Sequence, residues 1–148
     1  MSFNQPNADV CQVLLTFHEM ELVKGDMNGH CLIDNINIFG MTNIQLPHLC
    51  GPLSKQHMYL EFGRGSKITF SISIDGFQDD VGRKWNVQVS YIRCNDPFRA
   101  PSGCLQYYTA STGTVKMLGY PEIPHLAGLQ YTICVRRALA AESIFVRF

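Results

Sequence analysis

The sequence lacks an excess of charge of either sign, and it lacks any long uninterrupted run of apolar residues. Twelve basic residues balance twelve acidic ones in a chain of 148. A nucleic-acid-binding surface needs clustered Lys and Arg, and an electrostatic membrane anchor needs a polybasic patch. No apolar run approaches the roughly 18 residues needed to cross a bilayer. We therefore predict no nucleic-acid partner and no membrane span.

The motifs of common catalytic sites are also missing from the sequence. It has no Gly-x-Ser-x-Gly nucleophile elbow and no Walker sequence. The five histidines are scattered and show neither the C-x-x-C nor the H-x₃-H spacing of zinc sites. We predict no catalytic residues and no enzyme activity.

Cysteine, by contrast, is abundant for a chain of this length, at positions Cys11, Cys31, Cys50, Cys94, Cys104 and Cys134. Six in a short chain predict a disulfide framework formed in an oxidising compartment; buried free thiols in a cytosolic protein are the alternative. The first residues lack the charged and apolar regions of a signal peptide. We give the cysteines more weight, predict an extracellular, secreted protein, and expect its leader to be missing from this sequence.

Apolar and polar side chains alternate in several short segments, which is the period of a β-strand. The clearest example places Ile68, Phe70, Ile72 and Ile74 on one face. Similar patterns occur at 13–17, 32–39, 57–62 and 85–91, and later at 105–108, 114–118, 131–135 and 144–148. Turn-forming Gly, Pro and Asn residues separate them. The pattern predicts an all-β fold, an antiparallel β-sandwich, with at most one or two helical turns at 136–142.

Two prolines and a glycine between residues 94 and 103 mark a hinge in the chain. It separates a first part, residues 1–93, from a second part, residues 104–148. We therefore predict two structural parts, each with its own strands.

Several short motifs form a pattern that is more specific than any one of them alone. They are Phe17–Leu22, the C-x-x-D of Cys31–Asp34, Cys50-Gly51, Gly82–Val87, Ala100–Tyr108 and Tyr131–Arg136. Together they resemble the CUB domain family, in its tandem arthropod form, over roughly residues 11–137. The resemblance implies a jelly-roll β-sandwich and two of the disulfides, Cys31–Cys50 and Cys104–Cys134. An unstrained bridge that closes a loop such as the first is worth about 3 kcal/mol.

In the family pattern Cys11 and Cys94 would each have a partner, but the expected partner cysteines are absent from this sequence. They pair with each other if their strands are neighbours, or Cys94 pairs with Cys104 across the hinge, or both are free thiols. These alternatives stay open at the level of the sequence.

Against the family pattern, residues 1–93 resemble a module without its first strands, and residues 104–148 resemble the opening strands of a second module. An incomplete sandwich has an open edge and an uncovered apolar face. We therefore hypothesise that the two parts pack into one permuted sandwich, within one chain or by strand exchange in a homodimer. An incomplete module that folds poorly alone is the alternative.

Calcium is the cofactor that the resemblance brings into question, because many CUB domains bind it through one glutamate and two aspartates. Asp34 matches the C-x-x-D aspartate, whereas the glutamate position falls on Val23. Asp26 and Asp79 are the other candidates. Ca²⁺ takes six to eight oxygen ligands, more than these carboxylates supply. We predict no cofactor, with calcium at these aspartates as the alternative.

The resemblance implies an extracellular, non-catalytic module that binds a protein or a glycan. A regulatory or interaction fragment of a secreted protease is the alternative, and a small metal-dependent hydrolase is the second. Tyr108 and Arg137 have residue types enriched at interface hot spots and alternate away from the apolar face. They are the candidate binding residues.

Overall fold

The computed structural model of the chain describes residues 1–42, 44–76, 82–123 and 125–137. Within these ranges the fold is all-β, and the strands pack as a sandwich, which confirms the predicted class. The strands are β1 (Ser2–Asn4), β2 (Val10–Glu21), β3 (Asn35–Phe39), β4 (His57–Glu61), β5 (Lys67–Ser73), β6 (Lys84–Arg93), β7 (Cys104–Tyr108) and β8 (Thr132–Val135). No helix in the described ranges could span a membrane. The strand predicted at 144–148 lies outside the described residues, as does most of 136–142.

The 12-residue strand β2 is the centre of the first sheet. It pairs antiparallel with β4 on one side and with β6 on the other. Because alternate residues of a strand point to the same face, the inner face of β2 forms one continuous apolar row. Its members are completely buried: Val13, Leu15, Phe17 and Met20.

The second sheet has the strand order β1-β5-β3 and is also antiparallel. Ile68 and Phe70 of β5 enter the core together with Ile36 and Ile38 of β3. The alternation predicted for this region is confirmed along β5, while Ile74 lies beyond its end and is 44% exposed. The strand predicted at 32–39 starts only at Asn35.

The chain beyond the hinge contributes to the same core as the two sheets. Strand β7 lies alongside β4, and it pairs with β8 in parallel rather than antiparallel. Alternation of side chains is the same for both directions, so the sequence pattern does not reveal this difference. Five apolar residues from this part belong to the main core: Leu105, Leu118, Ile123, Leu126 and Leu129.

Three disulfides link the strands and loops, and no cysteine is free. The structure forms both bridges that the resemblance implies, Cys31–Cys50 and Cys104–Cys134. It also joins Cys11 to Cys94, whose Cα atoms are 4.9 Å apart. That pair forms because β2 and β6 are neighbours. The other two possibilities, free thiols and a bridge between Cys94 and Cys104, are therefore wrong.

Gln12 is a completely buried polar residue at the start of β2. Its amide nitrogen donates to the carbonyl of Ala100 at 2.9 Å, and its amide oxygen accepts from the N–H of Ala100 at 3.0 Å. The nitrogen also donates to Glu61 at 3.2 Å. One side chain therefore binds both backbone groups of a buried hinge residue, and it fixes the hinge against the first sheet.

We predict that Gln12→Leu lowers the free energy of unfolding by about 2 kcal/mol. The substitution keeps a similar volume but leaves the N–H and the carbonyl of buried Ala100 unpaired, and each unpaired group costs free energy. Denaturant unfolding of the oxidised protein measures the change. The exposed Gln45 provides the matched control: Gln45→Leu should leave the midpoint unchanged, and equal losses in both variants would contradict the explanation.

Candidate binding surface

Asp34, the first calcium candidate, is buried and already has protein partners. Its carboxylate accepts from Arg83 Nε at 2.8 Å and from the N–H of Val23 at 2.9 Å. Burial by itself raises the pKa of Asp34, but the hydrogen bonds and charge of Arg83 and the N–H of Val23 outweigh it, so the pKa lies below its ordinary value. The structure therefore places an arginine, not an open site, beside this carboxylate.

The other calcium candidates do not join Asp34 in a described cluster. Asp26 closes its own turn, because one carboxylate oxygen accepts from the N–H groups of Asn28 and His30. The His30 N–H is the main reason that the pKa of Asp26 is lowered. Asp79 lies outside the described residues. Among the residues that the structure places, no group of three His, Cys, Asp or Glu side chains could hold a metal ion.

Tyr108 and Arg137, the candidate binding residues, occupy different environments. Tyr108 is half-buried, and its ring contacts that of His57 at 5.0 Å between centroids. Burial raises the pKa of Tyr108. Arg137 is exposed. The structure therefore shows the ring of Tyr108 against His57, and the binding role of both residues stays a prediction.

The segment 115–120, which we call the 115–120 loop, is a loop and not the strand predicted at 114–118. Side chains hold its backbone in place of a strand partner. Gln56 donates to the carbonyl of Met117 at 2.7 Å and accepts from the N–H of Gly119 at 3.0 Å. The hydroxyl of Tyr131 accepts from the N–H of Leu118 at 2.8 Å. Three successive residues, Met117, Leu118 and Gly119, are therefore tethered.

Gly119 occupies a position in this loop that only glycine fits. Its φ is +82°, and a Cβ atom added there would lie 2.2 Å from the side chain of Ile123. Any larger residue would therefore clash with a core side chain and would be strained in the left-handed region. The glycine lets the loop turn tightly over the core.

The 115–120 loop exposes three large apolar side chains to solvent. Val115 is 44% exposed, Met117 is 40% exposed and Tyr120 is 56% exposed. Contiguous exposed apolar side chains are typical of binding surfaces, and Tyr and Met are enriched in protein interfaces. The loop is therefore a candidate contact surface, which the strand interpretation missed. The sequence signal that could have revealed it is the set of turn-forming residues in and beside the loop, Gly113, Gly119 and Pro121.

A cleft of about 370 Å³ adjoins this loop. It is mostly apolar with a few polar groups, a composition usual for ligand sites. Its lining residues are Met117, His125, Leu129, Gln130, Tyr131 and Ile133. Because Met117 belongs to both, the loop and the cleft form one continuous surface.

Gln106 lies in β7 opposite Ile133, one of the cleft residues. Its side chain is completely buried, and neither its amide nitrogen nor its amide oxygen has a hydrogen-bond partner among the described residues. Gln56, equally a buried glutamine at 7% exposed, has partners on both atoms. The two residues offer a direct comparison of an unsatisfied and a satisfied amide.

We predict that Gln106→Met raises the free energy of unfolding by about 1 kcal/mol, because it removes an unsatisfied donor and acceptor while nearly keeping the volume. Gln56→Met should instead lower it by about 2 kcal/mol, since Met117 and Gly119 would lose their partners. Denaturant titration of both variants measures the pair. Destabilisation of similar size in both would show that Gln106 has a partner, which would contradict this interpretation.

His57 connects β4 to β7. Its Nε2 atom accepts from the N–H of Tyr107 at 3.2 Å and lies 3.1 Å from the carbonyl of the same residue. Burial lowers the pKa of His57, against a smaller raising effect of the Tyr107 carbonyl. The neutral ring is therefore favoured, and protonation would leave the N–H of Tyr107 without an acceptor.

We predict that stability falls as the pH drops below about 6.5, the ordinary pKa of histidine. The unfolded chain binds the proton at a higher pH than the folded chain, so the contribution of His57 is fully present above that value and is lost toward the lowered folded pKa. Unfolding at a series of pH values measures the slope. His57→Gln should reduce it and His125→Gln, at an exposed position, should not; an unchanged slope in His57→Gln would argue against the assignment.

The fold and this surface define a disulfide-linked, all-β sandwich with a tethered loop beside a cleft. Comparison with known protein families gives a match over residues 101–147 to the animal CUB domain. This match confirms the CUB resemblance in that part of the chain, which contains β7, β8 and the 115–120 loop. No curated protein and no solved structure gives a significant match.

Proposed function

We propose that this chain is an extracellular, non-catalytic module that binds a protein through the 115–120 loop and the adjoining cleft. CUB domains are generally binding modules without catalytic activity, and the match covers the segment that carries this surface. The three disulfides support an oxidising, extracellular setting.

The observation that carries the proposal is the combination of exposure and rigidity in one loop. Val115, Met117 and Tyr120 are exposed, yet the backbone between them is tethered by Gln56 and Tyr131. Binding costs less conformational entropy when the contact residues are held in place beforehand.

A protein ligand fits the surface better than a glycan does. Val115 and Met117 offer aliphatic contact, and the cleft beside them could accept an apolar side chain of the partner. Sugars need several convergent hydrogen-bonding side chains, whereas His125 and Gln130 are the exposed polar side chains of the cleft. Because the lining of the cleft is more apolar than polar, it favours a protein ligand over a glycan.

We also propose that residues 104–148 supply strands to the sandwich of residues 1–93, so that residues 94–103 connect two parts of one folding unit. Contacts across the hinge and with the hinge itself support this organisation. The carbonyl of Gly29 in the first part accepts from the N–H of Ala127 in the later part, and the guanidinium of Arg136 lies 5.8 Å from the ring centre of Phe98 in the hinge. The core residues of the later part and the Gln12–Ala100 pair point in the same direction.

We predict that the double variant Met117→Ser/Tyr120→Ser weakens binding to the partner by about 30-fold, the equivalent of one hot-spot residue. The oxidised chain is immobilised and tested against a panel of ectodomains and secreted proteins from the same organism, with a glycan array alongside. Dissociation constants of each ligand are then compared between wild type and variant.

Met27→Ser/Leu32→Ser is the matched control, because it removes two exposed apolar side chains elsewhere, 96% and 73% exposed. It should leave both the affinity and the unfolding midpoint unchanged. A ligand that is lost in the control but kept in the loop variant would place the binding surface elsewhere. If the loop variant weakened binding to a glycan on the array, the ligand of this surface would be a carbohydrate and not a protein.

A further inference from the structure

Strand β6 is the edge strand of the first sheet. The sheet order is β4-β2-β6, and among the described residues β6 pairs only with β2. The backbone groups on its other side therefore form a row that another strand can pair with. At ten residues, β6 is the second longest of the described strands.

The inner face of β6 extends the apolar core beyond the part that is covered. Its residues Trp85, Val87, Val89 and Tyr91 stand opposite the buried row Met20, Phe17, Leu15 and Val13 of β2. That row of β2 has no exposed surface, whereas Trp85 and Tyr91 are each 45% exposed. An apolar strip therefore runs along the open edge.

The edge also lacks the features that usually prevent pairing. Proteins protect edge strands with charges, prolines or short length. Residues 85–92 contain no proline and no charged residue, and the charges of β6 lie at its ends, on Lys84 and Arg93. Among the residues that the structure places, no strand pairs with the outer side of β6.

We propose that β6 pairs antiparallel with β6 of a second copy of this chain, around a two-fold axis at Gln88. This register places Trp85 opposite Tyr91 of the second copy and Val87 opposite its Val89. Aromatic pairs and β-branched pairs stabilise adjacent strands. Because the two copies are related by a two-fold axis, each of these two residue pairs occurs twice in the dimer.

We choose a second copy as the partner because this register pairs apolar residues with apolar residues and polar residues with polar residues. On the outer face, the same register places Asn86 opposite Ser90 of the second copy and the two Gln88 residues opposite each other. No charged pair forms between residues 85 and 91. A shift by one residue would turn the apolar faces of the two copies to opposite sides. One strand pair is small against a standard interface of about 1,600 Å², so the dimer is weak and concentration-dependent.

The test compares two double variants of the full oxidised chain by sedimentation equilibrium over a concentration series. Asn86→Lys/Ser90→Lys places like charges opposite each other twice and should weaken dimerisation by about tenfold. Asn86→Lys/Ser90→Glu places opposite charges there and should dimerise at least as well as wild type. Both carry the same lysine at position 86, and unfolding midpoints check that both are folded.

Hydrogen exchange distinguishes a second copy from any other occupant of the edge. The amides of residues 85–92 should gain protection as the concentration of wild type increases, and the lysine double variant should not show this gain. A wild-type chain that stays monomeric at all concentrations overturns the proposal. So does equal behaviour of the two double variants, or protection of β6 that is already complete in dilute solution, which would mean that another segment of the same chain covers the edge.

Discussion

The fold depends on the pairing of β2 with a neighbour on each side. Among the described strands, β2 is the one that contributes four fully buried apolar side chains, in its inner row from Val13 to Met20. The same strand carries Cys11 and Gln12, which bind the end of β6 and the hinge. Removing β2 from the sheet would therefore break the core, one disulfide and the attachment of the hinge together.

The later part of the chain uses side chains where the first part uses strand ladders. Besides short backbone turns, the side chains of Gln56 and Tyr131 bind N–H and carbonyl groups of the 115–120 loop. This arrangement fixes a loop without covering it, because the tethers come from beneath. The apolar side chains on the outer side of the loop can then stay exposed while the backbone that carries them is held in place.

Alternation in the sequence predicted the strands whose faces differ in burial, such as β5, because burial on one face is what produces the pattern. It failed at 114–118, where Val115 and Met117 alternate but are both exposed. The tethers of that loop come from Gln56, about 60 positions earlier, and no local pattern encodes such a contact. The same limit applies to Asp34, whose partner Arg83 is 49 positions away. The direction of β8 relative to β7 was equally invisible, since parallel and antiparallel strands alternate alike.

The positions of the disulfides have a consequence for the hinge. Cys11, Cys31 and Cys50 precede the hinge, Cys94 is its first residue, and Cys104 and Cys134 both follow it, so no bridge crosses residues 95–103. A single peptide segment is the one covalent connection. If the chain were cut within this segment, noncovalent contacts alone would hold the two fragments together. Their association would then be an ordinary bimolecular affinity, which a titration of one oxidised fragment with the other can measure.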